Sequence, residues 1–250
     1  MPTTTSWRTW WRARVDSVRV MSSLPVTSLD HVALWVADRD AIAELACEHL
    51  GMHVIDRTDA FTLVGADARR FKLTLFAADG PREPGALVAV VLRVNDLEAA
   101  LAALPGELGL ERRDDGVVLL GAPEGLTLGL VERATDLDYD LDHVVLRVED
   151  PEASARALAE LGFERDGRRL RVAGSWVTLE GGGAPEGERP LLNHLAVLVD
   201  SAEAVEREVR RNGGEIADVV DAANTRAVFV WTPGRIKLEY VEHKASFSLT

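Results

Sequence analysis

LDHVALWVADRD at 29–40 returns almost letter for letter as LDHVVLRVEDPE at 141–152. Such a repeat constrains the fold more tightly than composition does, because each copy must build the same unit and bury its apolar face against a neighbour. ALVAVVLRVNDLE (86–98) and NHLAVLVDSAE (193–203) carry the pattern more loosely. Aligning Val36, Val94, Val148 and Val199 places His31, Ala89, His143 and His194 at one equivalent position.

Each copy opens on an apolar strand that runs into an Asp- or Ser-containing turn, a helix N-cap signal. The segments AIAELACEHL, LEAALAAL, PEASARALAEL and AEAVEREVRR then have amphipathic helical spacing. Pro151 suits a first helical turn. Gly51, Gly109, Gly162 and the pair Gly213–Gly214 follow as helix stops. Short β-rich segments complete each copy, among them RRLRVAGSWVTLEG (168–181) and TRAVFVWTPGRIKLEYVE (225–242). The pattern predicts an α+β chain of strand, helix and three strands, four times over.

Linker-like stretches separate the copies at 80–85, 133–140 and 181–190. The recurrence of LDH at 29 and 141 suggests two paired halves, 29–135 and 136–243. A flexible arm (1–28) precedes them and a tail (244–250) follows. The arm carries Arg8, Arg12, Arg14 and Arg19 between Trp7, Trp10 and Trp11. It lacks the apolar core of a secretory signal and reads as a frayed tail rather than a docking helix. The triple glycine at 181–183 has no P-loop lysine beside it and reads as a connector.

A formal charge of -13 argues against a nucleic-acid partner. No stretch approaches the apolar length needed to span a bilayer, so no membrane association is expected. The single cysteine, Cys47, excludes an intramolecular disulfide and suits a cytoplasmic location. Sheet edges between copies, together with the tryptophan-bearing arm, point to a homo-oligomer.

Two strands that begin with a histidine and one that carries a glutamate offer a metal site: His143, His194 and Glu239. Two neutral imidazoles and one carboxylate form the facial set of a non-haem iron centre with open positions. Three separate strands of a curved sheet can bring these side chains to one ion. Taken singly, each histidine reads better as a satisfied sheet histidine and Glu239 can be a solvated rim charge, but three matched positions in a repeat favour a metal.

Over nearly all of 29–242 the pattern resembles the vicinal oxygen chelate superfamily of glyoxalases, bleomycin resistance proteins and extradiol dioxygenases. The four-copy layout is most like the two-domain extradiol ring-cleavage enzymes. The resemblance implies four βαβββ modules paired into two cup-shaped mixed sheets with helices outside. It implies metal ligands at His143, His194 and Glu239, and a degenerate first half in which His31 lines up with Ala89 and Gly129. TPGRIKLE (232–239) matches the family's closing stretch in length.

The resemblance also implies a role for Glu180, at the end of WVTLE, as acid/base or fourth ligand. Three ligands leave room for a diol and dioxygen, while a fourth leaves room for an enediolate alone. The first case implies an Fe(II)- or Mn(II)-dependent dioxygenase acting on a catechol-like aromatic diol. The second implies a Zn(II)-, Ni(II)- or Co(II)-dependent lyase or isomerase, and a third possibility is a non-catalytic resistance-type binder. Trp176, Thr178, Phe229 and Trp231 are the expected substrate-pocket residues in each case. Phe229 stands where the dioxygenases have a tyrosine, Val145 stands where they have an asparagine, and 220–222 lack their further histidine.

Overall fold

The computed structural model describes residues 24–106, 108–182, 189–232 and 234–250. The expected arm therefore lies outside the described residues over 1–23, as does most of the glycine-rich connector (183–188). The first module comprises β1 (Val26–Val36), α1 (Arg39–His49), β2 (His53–Arg57), β3 (Phe61–Gly65) and β4 (Lys72–Ala77). The second comprises β5 (Leu87–Val94), α2 (Leu97–Ala102), β6 (Leu110–Arg112), β7 (Val118–Gly121) and β8 (Thr127–Glu132). The third holds β9 (Asp140–Val148), α3 (Pro151–Glu160), β10 (Glu164–Asp166), β11 (Arg169–Val172) and β12 (Ser175–Gly181). The fourth holds β13 (Leu192–Val199), α4 (Ala202–Arg211), β14 (Ile216–Asp221), β15 (Thr225–Trp231) and β16 (Lys237–His243). These are the four βαβββ modules that the repeat predicts.

Local chemistry fixes the helix boundaries. Asp38, Asp96, Asp150 and Ser201 are the N-caps, each accepting from backbone N–H groups of the first turn. Gly51, Gly162 and Gly213 end α1, α3 and α4 with positive φ. Gly109 does not end α2, which stops at Ala102. Pro105 follows too closely for another helical turn, since a proline disfavours the α conformation in the residue before it.

The modules pair differently from the expected halves. One eight-stranded sheet runs β14-β15-β16-β13-β1-β4-β3-β2 and joins the first module to the fourth. The other runs β10-β11-β12-β9-β5-β8-β7-β6 and joins the second to the third. The boundary at 135/136 thus falls inside one sheet, and the other sheet is closed by the two ends of the repeat. Side-chain character separates the two cups accordingly. Aromatic side chains in the first and fourth modules line one concave face, and the other holds a cluster of small aliphatic ones beside the stacked pair His143 and Trp176.

A continuous apolar core joins the sheets, from Leu24 through Val32, Leu92 and Val144 to Tyr240. The Tyr240 hydroxyl donates to the Leu161 carbonyl at 2.8 Å, tying β16 to the end of α3. There Gly162 (φ 105°) lies so close to β1 that a Cβ would meet the Leu24 oxygen at 2.6 Å.

A candidate metal centre

β1 and β13 meet antiparallel at the middle of their sheet, with His31 opposite Ala196 and Ala33 opposite His194. The register slips by one residue at Asp30 on β1 and at Asn193 on β13, so a bulge residue precedes each histidine. Bulges re-aim the side chains beside them. Both imidazoles here turn their Nε2 atoms into the concave face, and β16, parallel to β13, adds Glu239 opposite Ala196.

The three donor atoms converge. His194 Nε2 lies 2.6 Å from Glu239 Oε2, His31 Nε2 lies 3.1 Å from it, and the two Nε2 atoms are 3.0 Å apart. Ligands held about 2.1 Å from one ion, at right angles to each other, stand about 3 Å apart. The set therefore fits a divalent cation, with two imidazoles and one carboxylate on one face of it.

The bulge residues orient the ligands. His31 Nδ1 donates to Asp30 Oδ1 at 2.7 Å, and His194 Nδ1 donates to Asn193 Oδ1 at 3.0 Å. Each bond leaves Nε2 as the metal-facing nitrogen. Asp30 is buried and also accepts from Lys72 Nζ at 2.9 Å, with His243 Nε2 3.1 Å from its Oδ2. His243 in turn stacks on Phe247 with centroids 4.1 Å apart, so the tail braces this outer shell.

Charges inside the cluster are strongly coupled. Burial works against the His31 cation, but Glu239 and Asp30 outweigh it and raise the imidazole to about 9. Burial likewise opposes the Glu239 carboxylate, yet His31 and His194 hold it down at about 2. Burial lowers His194. The metal-free site therefore holds one proton among groups poised to exchange it for a cation.

The ligand set departs from expectation at one member. His143 lies in the other sheet, on β9, paired with β12 and β5. Its Nδ1 donates to the buried Asp142 at 2.7 Å, and its ring stacks on Trp176 at 4.9 Å. His31 replaces it, because the sheet partner of the fourth module is the first and not the third. Among the described residues, no ligand set forms around His143. Its cup is filled by Ala89, Val91, Val117 and Val131. At Gly129, the counterpart of Glu239, an added Cβ would meet Val91, Val117 and Leu119 at 3.0–3.2 Å.

Glu180 is likewise misplaced by the sequence alignment. Its strand pairs Trp176 with His143 and Thr178 with Val145, so Thr178 is the third module's counterpart of Glu239. Glu180 is half-exposed in the second cup, 3.8 Å from Arg147. The first module's counterpart of Glu239 is Thr74 on β4, which pairs with Ala33.

Of the expected pocket residues, Trp176 and Thr178 lie in the second cup, where the indole N–H donates to the threonine hydroxyl. Phe229 lies beside the metal cluster, its ring centroid 5.1 Å from that of His194. Trp231 pairs across from Lys237 on the same sheet and carries the Arg235 guanidinium over its ring. Trp35, Phe61 and Phe76 complete the aromatic wall from the first module, with Phe76 6.1 Å from the His194 ring. Their alternation with His31 along β1 and with Thr74 along β4 was available in the sequence once the first module was known to contribute.

Among the described residues, no helix is long and apolar enough to cross a membrane. Residues 28–107 match the model of the Glyoxalase/Bleomycin resistance protein/Dioxygenase superfamily. No curated protein matches the sequence significantly. Among solved structures, a putative dioxygenase from Bacillus subtilis subsp. subtilis str. 168 superposes with a TM-score of 0.73 at 18% identity, over 90% of this chain and 88% of its own. Glyoxalase I from Zea mays gives 0.69 at 19% identity, over 86% and 92%. The cppA protein of Streptococcus pneumoniae TIGR4 gives 0.59 at 14%, over 87% and 99%. These likenesses establish a shared fold. The family match covers the first module and the start of the second, and the likeness of fold runs through all four modules.

Proposed function

We propose that the protein is a divalent-metal-dependent enzyme, an extradiol-type dioxygenase acting on a small catechol-like aromatic. The observation that carries this reading is a three-ligand set, His31, His194 and Glu239, with Thr74 in place of a second carboxylate. Fe(II) or Mn(II) held by these three residues would supply Lewis acidity towards a diol and a route for electrons from the diol to dioxygen. The net positive charge of such a centre favours an anionic diol. Phe76 and Phe229 flank His194 and offer faces against which a planar ring can pack. Asp30 and Asn193 keep both imidazoles aimed while the substrate exchanges.

The lyase or isomerase alternative called for a second carboxylate at the metal. Glu180 stands in the other cup and Thr74 has no charge, so that reading ranks second. Anaerobic reconstitution with Fe(II) or Mn(II), followed by oxygen uptake over a panel of catechols, tests the proposal. Diol-dependent oxygen consumption with a ring-opened, coloured product is expected. A loaded protein that consumes no oxygen with any of them defeats the dioxygenase reading.

A further inference from the structure

The two halves of the metal cup are related residue by residue. His31 corresponds to His194, the bulge residue Asp30 to Asn193, and Thr74 to Glu239. Lys72 lies two residues before Thr74, and Lys237 lies two before Glu239. The charges on these two lysines are used differently. Lys72 is buried and fully engaged, donating to Asp30, the Ala68 carbonyl and the Arg70 carbonyl. In the other half the carboxylate is replaced by the amide of Asn193, which neutralises nothing. Among the described residues Lys237 forms no ion pair within 4.0 Å, and the carboxylates whose charge reaches it, Glu239 and Asp218, stand farther off. Its ammonium rests over the Phe229 ring, 5.5 Å from the centroid, and that ring packs on His194.

The geometry points to Lys237 as a specificity-determining residue that receives an anionic substituent, such as a carboxylate, on the substrate's ring. This inference rests on the proposed diol chemistry for the other end of the substrate. A ring lying between Phe229 and Phe76, with its oxygens towards the ligand cluster, directs a substituent along β16 to the half-buried ammonium. A carboxylate there replaces missing solvation on Lys237 with a charge-assisted hydrogen bond. It also supplies the negative charge that Asp30 supplies to Lys72.

The test uses full-length protein loaded with Co(II), whose visible spectrum reports ligands entering the metal shell. Catechol and 3,4-dihydroxybenzoate form one pair of probes, and benzamide and benzoate form a second pair with no diol. Wild-type protein is expected to bind the carboxylated member of each pair at least about tenfold more tightly at low salt. Lys237→Met should abolish both preferences and leave catechol and benzamide affinities unchanged, while Lys237→Arg should retain the preferences. No preference in wild-type protein, or an equal preference in Lys237→Met, overturns the inference. If neither diol shifts the Co(II) spectrum, the diol reading fails by itself, and calorimetric titration of the metal-free protein with benzoate and benzamide still decides the role of Lys237.

Discussion

His31 and His194 stand 163 residues apart in the chain, yet their Nε2 atoms are 3.0 Å apart across one strand pair. The centre is therefore built by the ends of the repeat. The middle modules form a second cup of the same topology with an aliphatic filling.

His31→Ala is expected to lower divalent-metal affinity by at least about a hundredfold, because two remaining ligands hold an ion poorly. His143→Ala should leave affinity unchanged and instead cost roughly 1–3 kcal/mol of stability, since it strips the buried Asp142 of a partner. Elemental analysis and chelator competition on both variants measure this. Metal loss on replacing His143 would reinstate it as a ligand.

Asp30 accepts from a ligand and from a buried lysine, so Asp30→Asn should act twice. Metal affinity should fall by about 10- to 100-fold as His31 loses its orienting carboxylate. Folding stability should fall by about 3–5 kcal/mol as the Lys72 charge is left unpaired. Adding Lys72→Met should restore part of the stability and none of the affinity. Urea melts and chelator competition separate the two effects.

The pH response follows from His31, raised from 6.5 to about 9, and Glu239, lowered from 4.5 to about 2. The raised histidine stabilises the metal-free fold fully below pH 6.5 and loses that contribution as pH rises towards 9. The depressed carboxylate contributes fully above pH 4.5 and loses its share as pH falls towards 2. Metal-free protein should thus be most stable between those two ordinary values. A divalent ion must displace the His31 proton, so affinity should climb by about tenfold per pH unit until about 9. Thermal shifts on adding Zn(II) should accordingly grow from pH 6 to pH 8. A shift that does not change with pH would mean that His31 holds no proton to release.

Gly162→Ala should destabilise the protein by at least about 2 kcal/mol, because φ is 105° and the new methyl would meet the Leu24 carbonyl oxygen at 2.6 Å. Metal affinity should not change, since no ligand shares that contact. Chemical denaturation alongside a metal titration checks both halves of this statement.

The sequence exposed everything that is local. Asp38, Asp96, Asp150 and Ser201 cap the helices as their chemistry dictates, and the repeat located all four first strands. His194 and Glu239 were legible because their strands are adjacent within one module. The partner of that module was not legible, because alignment reveals which residues are equivalent and is silent on which copies touch. His31 with His194 and His143 with His194 give equally complete ligand sets on paper. What could have separated them is the second module, which puts Ala89, Val91 and Gly129 opposite the third where the first puts His31, Trp35 and Phe76 opposite the fourth. Glu180 was misassigned for a smaller reason: a two-residue offset along β12 keeps a side chain on the same face and moves it two places along the register.

In the sheet that holds the cluster, β13 lies between β1 and β16, the first and last of the described strands in chain order. Without the last of them His31 has only Asp30 as a carboxylate partner, and the middle pair of modules shares no strand with that sheet. A cation that needs all three donors would therefore find them only once the strand bearing Glu239 has joined β13.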